Sequence, residues 1–322
     1  MVAIRAAAYG ARNGSACGEA RDVRAFLAFV RLSRLVFLLG GAAGVALGAA
    51  VAAYEGFPVR WPAYAGAQAL VTAFQLMVHY ANDWFDRAGD AAADASRRTP
   101  FSGGSGVLAS GELPPRTALV AACACAAAGL AVTVWFALAG DVAAGVVGGL
   151  IAVLAWCYSA PPARLAARGI GELDTALVVS VLVPAAGYAA CAGRLGPTLF
   201  VAASAPFVAT LAMMLCVELP DAPADRRCGK RTLVVRWGAA RAWLAIALLA
   251  ATALAVAAFV ALRLARPWLG LALVPAAGVA LRLMWLAGRD RRPDAFAYAG
   301  PALSATVTGG LAAAYALAAT AR

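Results

Sequence analysis

Apolar residues run along this chain in long unbroken blocks, and the polar residues gather between them. Nine blocks are read, at roughly 35–54, 62–82, 117–138, 142–160, 173–192, 197–217, 242–262, 267–287 and 296–320. Each is about 20 residues long, the length with which an α-helix crosses a bilayer core. Breaks rich in Pro or Gly separate most of them, such as Pro114-Pro115, Pro161-Pro162 and Gly196-Pro197. The pattern predicts an all-α fold. It is a polytopic integral membrane bundle of about nine transmembrane helices over residues 35–322, preceded by a basic N-terminal tail over residues 1–34.

Composition supports that reading. The chain is 63% hydrophobic and 13% charged, with a mean hydropathy of +0.79, a profile that excludes an ordinary soluble domain. Ala and Gly fill many of the blocks, which favours close helix–helix approach over a Leu-rich, lipid-facing design. The seven Cys include no CxxC pair. Cys123, Cys125, Cys157, Cys191 and Cys216 fall in or at the ends of apolar blocks and read as small hydrophobes, while Cys228 stands in a polar loop.

The formal net charge is +11, yet no soluble basic domain or RNA-binding pattern accompanies it, so nucleic acid is not an expected partner. In a membrane protein, surplus Arg encodes orientation. With the tail and alternate loops on one side, that side holds all of the 27 Lys and Arg except Arg60, Arg194, Arg263, Arg266 and Arg322. The positive-inside rule then sets the N-terminus and those loops in the cytoplasm and the C-terminus outside. All of the 16 Asp and Glu except Glu55 and Asp141 share the cytoplasmic side, a concentration that insertion does not demand.

Those carboxylates are bunched. One segment reads Asn82-Asp83-Trp84-Phe85-Asp86-Arg87-Ala88-Gly89-Asp90, with Asp94 just beyond. The other reads Glu218-Leu219-Pro220-Asp221-Ala222-Pro223-Ala224-Asp225, followed by Arg226, Arg227, Lys230 and Arg231. Carboxylates crowded at a membrane edge repel one another and are costly to desolvate, and bound divalent cations are the simplest offset. Residues three and four apart share a helix face. Asn82, Asp86 and Asp90 are spaced by four, Asp83 adds an oxygen one turn before Asp86, and Asp221 and Asp225 repeat the spacing. Hard oxygen donors in this array suit Mg²⁺, which bridges one or two carboxylates to substrate phosphates. Each segment follows an even-numbered block and leads into a basic loop, so Asp83 aligns with Asp221 and Asp86 with Asp225. Two related halves facing a shared central cavity, open to the cytoplasmic side, would produce that echo.

These segments carry a family resemblance. Asn82-Asp83-x-x-Asp86-x-x-x-Asp90 resembles the first signature of the UbiA superfamily of intramembrane aromatic prenyltransferases. Asp221-x-x-x-Asp225-x-x-x-Gly229-Lys230-Arg231-Thr232-Leu233 resembles the second. Tyr158-Ser159-Ala160-Pro161-Pro162, with Arg164, Arg168-Gly169 and Gly171-Glu172, is similar to the family's loop after helix four. The stretch Arg98-Thr99-Pro100-Phe101-Ser102-Gly103-Gly104-Ser105 is most like the menaquinone-pathway 1,4-dihydroxy-2-naphthoate polyprenyltransferase branch. The likeness spans the first block to the ninth. It departs from that branch at Glu218, where Asn is common, and at Pro220, where Arg is common.

The resemblance implies Mg²⁺-dependent transfer of a polyprenyl group from polyprenyl diphosphate to an aromatic acceptor in a prokaryotic plasma membrane, with 1,4-dihydroxy-2-naphthoate as first choice. Asp83, Asp86, Asp90, Asp221 and Asp225 would hold the metal and, with Tyr158, form the catalytic group. Asn82, Arg97, Arg98, Arg164, Lys230 and Arg231 would hold the diphosphate. Other readings stay open residue by residue. Tyr158 suits a membrane-interface anchor equally well, and Arg164 and Arg168 suit orientation charges. Glu172 and Asp174 favour the N-terminus of their helix, and His79 reads as a packed, hydrogen-bonded core residue. Gly103 and Gly104 permit either a backbone approach to phosphate or a flexible cap. One rival is the same chemistry on another acceptor: 4-hydroxybenzoate, homogentisate, a chlorophyll-type ring or a glycerol lipid. The other is a divalent-cation transporter, against which both acidic segments lie on one face while a permeation path needs sites along its depth.

Overall fold

The computed structural model describes residues 22–92, 98–264 and 266–321. Among them there is no strand, only an isolated bridge between Thr99 and Ser102. A first helix, α1, covers 22–33. It is followed by α2 (Leu38–Tyr54), α3 (Trp61–Ala92), α4 (Pro115–Leu138), α5 (Val142–Ser159), α6 (Gly171–Ala192) and α7 (Pro197–Glu218). Two short helices, α8 (Ala222–Arg227) and α9 (Leu233–Trp237), lead to α10 (Ala239–Leu262), α11 (Pro267–Arg289) and α12 (Pro293–Thr320).

Among the described residues, eight stretches are long and apolar enough to cross a membrane, counting α1 and α2 together as Asp22–Tyr54. The block expected at 62–82 lies within α3, a helix of 32 residues. Gln68, Thr72, Gln75 and His79 dilute its hydropathy, and it is not among those eight stretches. Part of the expected basic tail packs into the bundle. Phe29 of α1 stacks on Tyr80 of α3 at 5.6 Å between ring centroids, and Ser33 Oγ lies 2.7 Å from the Tyr80 hydroxyl. Arg34 then takes the left-handed region, φ 49°, and the chain turns into α2.

Small residues let the long helices touch. A Cβ at Gly48 on α2 would sit 1.9 Å from the Pro184 carbonyl of α6, and one at Gly187 would sit 2.2 Å from the Val45 carbonyl. A Cβ at Gly300 on α12 would meet Cys216 Cβ of α7 at 2.5 Å. On α10 the buried stripe is Ala242, Ile246, Ala250, Ala253 and Ala257, whereas Leu244, Leu248, Phe259 and Leu262 face outward, where lipid tails would meet them. Ser180, Thr210 and Ser304 link α6, α7 and α12 by buried hydroxyl hydrogen bonds of 2.7 and 2.9 Å.

Antiparallel packing gathers the ends of α3, α5 and α7 and the starts of α4, α6 and α10 on one face, which carries both acidic segments. The opposite face is closed by other pairs. Arg60 grips Asp141 through two hydrogen bonds of 2.8 and 3.0 Å, and the Tyr188 hydroxyl donates to Glu55.

Candidate active site

The last turns of α3 carry Asn82, Asp83, Asp86 and Asp90, and the segment after α7 carries Asp221, Asp225 and Lys230. One ammonium joins them: Lys230 Nζ lies 2.8 Å from Asp86 Oδ2 and 3.4 Å from Asp225 Oδ1. Asn82 donates to Asp86 at 3.0 Å and to Ser159 Oγ at 3.1 Å, and Arg164 approaches Asp86 to 3.9 Å. Burial disfavours the charged Lys230 ammonium, but Asp86 and Asp225 outweigh it, and its pKa is raised. Burial also raises Asp225 against the pull of Lys230. It pushes Asp221 up to about 6, against the hydrogen bond from Gly103. In both carboxyls burial outweighs the neighbouring positive charge.

Residues 98–114, leading into α4, fold over these groups. Thr99 Oγ1 accepts from the N–H groups of Phe101 and Ser102, each at 3.1 Å, making a tight turn. Gly103 and Gly104 follow with φ +79° and +66°, conformations that Gly takes without strain. That path aims the Gly103 N–H at Asp221 Oδ2, 2.8 Å away. It also lays Gly104 against Asp90, where a Cβ would sit 2.2 Å from Oδ2. Ser105 donates to Asp83 from its backbone at 3.3 Å and from its hydroxyl. Arg98 braces the turn from below, donating to the Gly103 carbonyl at 2.7 Å and the Asp90 carbonyl at 3.3 Å.

The run Gly229 to Leu233 alternates in purpose. Lys230 turns inward to the carboxylates, while Arg231 is exposed and its N–H donates to the Ala167 carbonyl at 2.9 Å. Thr232 caps α9 by accepting from Val235 N–H at 3.3 Å. The Leu233 N–H donates to Glu172 Oε1 at 2.5 Å.

Two cavities adjoin here. A polar one of about 130 Å³ is lined by Asp86, Asp90, Glu218, Asp221, Asp225 and Lys230. A larger one of about 540 Å³, mostly aliphatic and aromatic, runs among α2, α3, α6, α7 and α12. Arg34, Asn82, Phe101, Tyr158, Met214 and Val217 line both. Over the larger cavity, Phe37 lies 5.3 Å from His79 and 5.4 Å from Phe101, and Phe101 lies 5.8 Å from Tyr298, between ring centroids.

Across residues 42–306, covering both acidic segments and most of the bundle, the chain matches the UbiA prenyltransferase family. It belongs to that family. Solved UbiA-type structures share the fold. The apo UbiA homologue of Aeropyrum pernix K1 aligns with a TM-score of 0.67 at 15% identity, over 86% of this chain and 97% of that one. The Archaeoglobus fulgidus UbiA homologue bound to GPP and Mg²⁺ aligns at 0.57 and 18% identity, over 90% and 100%. A structure of digeranylgeranylglyceryl phosphate synthase aligns at 0.57 and 12% identity, over 92% and 99%. No curated protein matches the chain.

Within this UbiA fold the expected site residues divide into groups. Asn82, Asp86, Asp90, Tyr158, Asp221, Asp225 and Lys230 converge on the polar cavity. Arg164 stands beside it, paired with Asp86. Asp83 is 2% exposed and is held by Ser105 under the loop, away from the cavity wall. Arg98 holds loop backbone, and Arg231 faces outward. Arg97 and Asp94 lie outside the described residues. Arg168 donates to the Pro162 carbonyl at 2.7 Å. His79 is packed as expected, with Nδ1 3.1 Å from the Ser33 carbonyl, but it also lines the larger cavity. Sequence reading missed Ser105, Ser159 and Arg34. Arg34 was counted only as tail charge, and nothing in its local sequence marks the left-handed turn that brings it to both cavities.

Among the described residues, no group of three or more His, Cys, Asp or Glu side chains is arranged to hold an ion. The chemistry of the donor set nevertheless fits Mg²⁺. That ion takes one or two carboxylates and completes its shell with water and phosphate oxygens. Five carboxylates line the polar cavity against Lys230 and Arg34, and Glu218 Oε2 is buried there with no hydrogen-bond partner. A carboxylate-rich chamber with an orphaned oxygen suits divalent cations together with the phosphates they bridge.

Proposed function

We propose that the protein transfers a polyprenyl group from polyprenyl diphosphate to an aromatic acceptor, with Mg²⁺, and that the acceptor is 1,4-dihydroxy-2-naphthoate. The observation that carries the reading is the pairing of cavities: a carboxylate-lined chamber joined through Asn82 and Tyr158 to an apolar one of about 540 Å³. A diphosphate and its hydrocarbon tail need that division. Cation transport gains no support, since the larger cavity is walled mainly by apolar side chains along the bilayer depth.

In this reading Asp86, Asp90, Asp221 and Asp225 would hold Mg²⁺, which when bound neutralises the departing diphosphate as a Lewis acid. Asn82 orients Asp86. Lys230 exchanges its carboxylate partners for diphosphate oxygens, and Arg164 approaches from the rim. Tyr158 and Phe101, at the junction of the chambers, offer ring faces to the allylic cation. The apolar wall excludes water that would hydrolyse that cation. The Nε of Arg34 is buried without a hydrogen-bond partner, and its guanidinium fits a carboxylate on the acceptor. By the distribution of Arg and Lys, the acidic face is cytoplasmic.

The test is a panel of acceptors offered to the purified protein in nanodiscs with one labelled prenyl diphosphate and Mg²⁺. Label should move to 1,4-dihydroxy-2-naphthoate. Transfer to 4-hydroxybenzoate or homogentisate with none to the naphthoate would overturn the choice of acceptor. Mg²⁺ flux in proteoliposomes without diphosphate release would overturn the transferase reading.

A further inference from the structure

Asp174 lies in the first turn of α6 and lines the larger cavity. It is 6% exposed, and its Oδ1 is buried with no hydrogen-bond partner. No ion pair reaches it among the described residues. Its neighbour Glu172 behaves differently, turning to the second acidic segment to accept the Leu233 N–H. The cavity that Asp174 lines is largely apolar, with Val178 and Val179 on the same helix and Met213 and Val217 on α7 among its walls. A buried acceptor left unmade costs free energy, and a carboxylate more than a neutral group. Packing does not call for one, because Asn or Val would fill the same volume. The group that completes Asp174 therefore comes from outside the chain.

Of the two substrates in the reading above, only one can supply it. A prenyl chain has no hydrogen-bond donor, and a diphosphate is an anion that Asp174 repels. An electron-rich aromatic acceptor carries phenolic hydroxyls. We infer that Asp174 recognises the acceptor by taking a hydrogen bond from its phenolic hydroxyl, an inference that rests on the prenyl-transfer reading. The carboxylate also fixes orientation: an acid group on the same ring is turned away from α6, toward Arg34 on the α1–α2 joint. The specificity is that of a buried polar group which would be left unpaired by an analogue lacking the hydroxyl.

The experiment measures binding, so it does not depend on turnover. Full-length wild type, Asp174→Asn and Asp174→Leu in nanodiscs are dialysed to equilibrium against labelled 1,4-dihydroxynaphthalene and against 1,4-dimethoxynaphthalene. Binding of the labelled prenyl diphosphate with Mg²⁺ is measured in parallel. Wild type should prefer the diol over the diether by about 10- to 100-fold. Asp174→Asn should keep part of the preference. Asp174→Leu should bind the two alike and still bind the diphosphate, which shows that the fold is intact. A wild-type preference retained in Asp174→Leu, or no preference in wild type, overturns the assignment. Loss of diphosphate binding in Asp174→Leu also overturns it, because the residue would then be structural. If the diol preference depends on Asp174 but no label is ever transferred, the binding site stands and the transferase reading falls.

Discussion

Lys230 Nζ lies 2.8 Å from Asp86 Oδ2 across 144 residues of sequence. The same ammonium is 3.4 Å from Asp225, so it occupies the space between two acidic segments where a cation is needed. Replacing Lys230 by Met leaves those carboxylates facing one another. Breaking a largely buried pair costs about 3 kcal/mol, and the variant should unfold at a lower temperature than wild type. Mg²⁺ should then raise its melting temperature more than it raises that of wild type, because no internal cation competes for the carboxylates. Prenyl transfer should fall by about 100-fold or more. A wild-type rate would remove Lys230 from the mechanism.

The loop glycines give a sharper test of geometry. Gly104 combines φ +66° with a would-be Cβ 2.2 Å from Asp90 Oδ2. Gly111, in the same connection, has φ +72° with nothing within 4 Å. Ala at either position meets a backbone penalty of about 1–2 kcal/mol, but only Gly104→Ala also displaces a carboxylate of the polar cavity. Gly104→Ala should lose prenyl transfer by about 10-fold or more relative to Gly111→Ala at matched stability. Equal rates in the two variants would show that Asp90 need not be held where it is.

Residue spacing reveals much of this, and the third dimension supplies the rest. The apolar blocks place most helix ends to within a few residues, because membrane length and Pro or Gly breaks act locally. The block at 62–82 stops ten residues short of the end of α3 at Ala92, where the polar turns carry the acidic segment. The four-residue spacing of Asn82, Asp86 and Asp90 and of Asp221 and Asp225 likewise puts those side chains on shared faces, and they do meet. Asp83 sits in the same run, but it is claimed by Ser105 from a loop whose path depends on two left-handed glycines. Arg98 and Arg231 are basic residues beside acidic motifs, but the Gly103 and Asp90 carbonyls hold the Arg98 side chain, and Arg231 is exposed with its backbone N–H on the Ala167 carbonyl. Arg34 is hidden in sequence because nothing local marks the left-handed turn that brings it to both cavities. Asp174 looks like a helix-start residue until α7 and α12 close a cavity in front of it.

Chelation tests the metal separately from the fold. Prenyl transfer and diphosphate release should both stop with EDTA and return with Mg²⁺. Asp86→Ala and Asp221→Ala should show no turnover at any Mg²⁺ concentration while remaining membrane-inserted. Labelled-substrate assays beside protease protection in vesicles measure both. Full activity in EDTA would exclude a divalent-cation role for these carboxylates.

The bundle depends on a contact with no room for a methyl group. At Gly48 a Cβ would lie 1.9 Å from the Pro184 carbonyl of α6, a distance no side chain tolerates, so Gly48→Ala must push α2 and α6 apart. Gly149 on α5 has nothing within 4 Å of its would-be Cβ, and Ala there gains helix propensity of up to about 1 kcal/mol. Thermal unfolding in one detergent should therefore move in opposite directions, down for Gly48→Ala and level or up for Gly149→Ala. Because α2 and α6 also wall the larger cavity, the separated helices should widen it. Gly48→Ala protein that remains folded should then hold prenyl diphosphate more weakly, while Gly149→Ala binds it as wild type does. Unchanged stability in Gly48→Ala would mean that the two helices do not approach as closely as their carbonyls and glycines indicate.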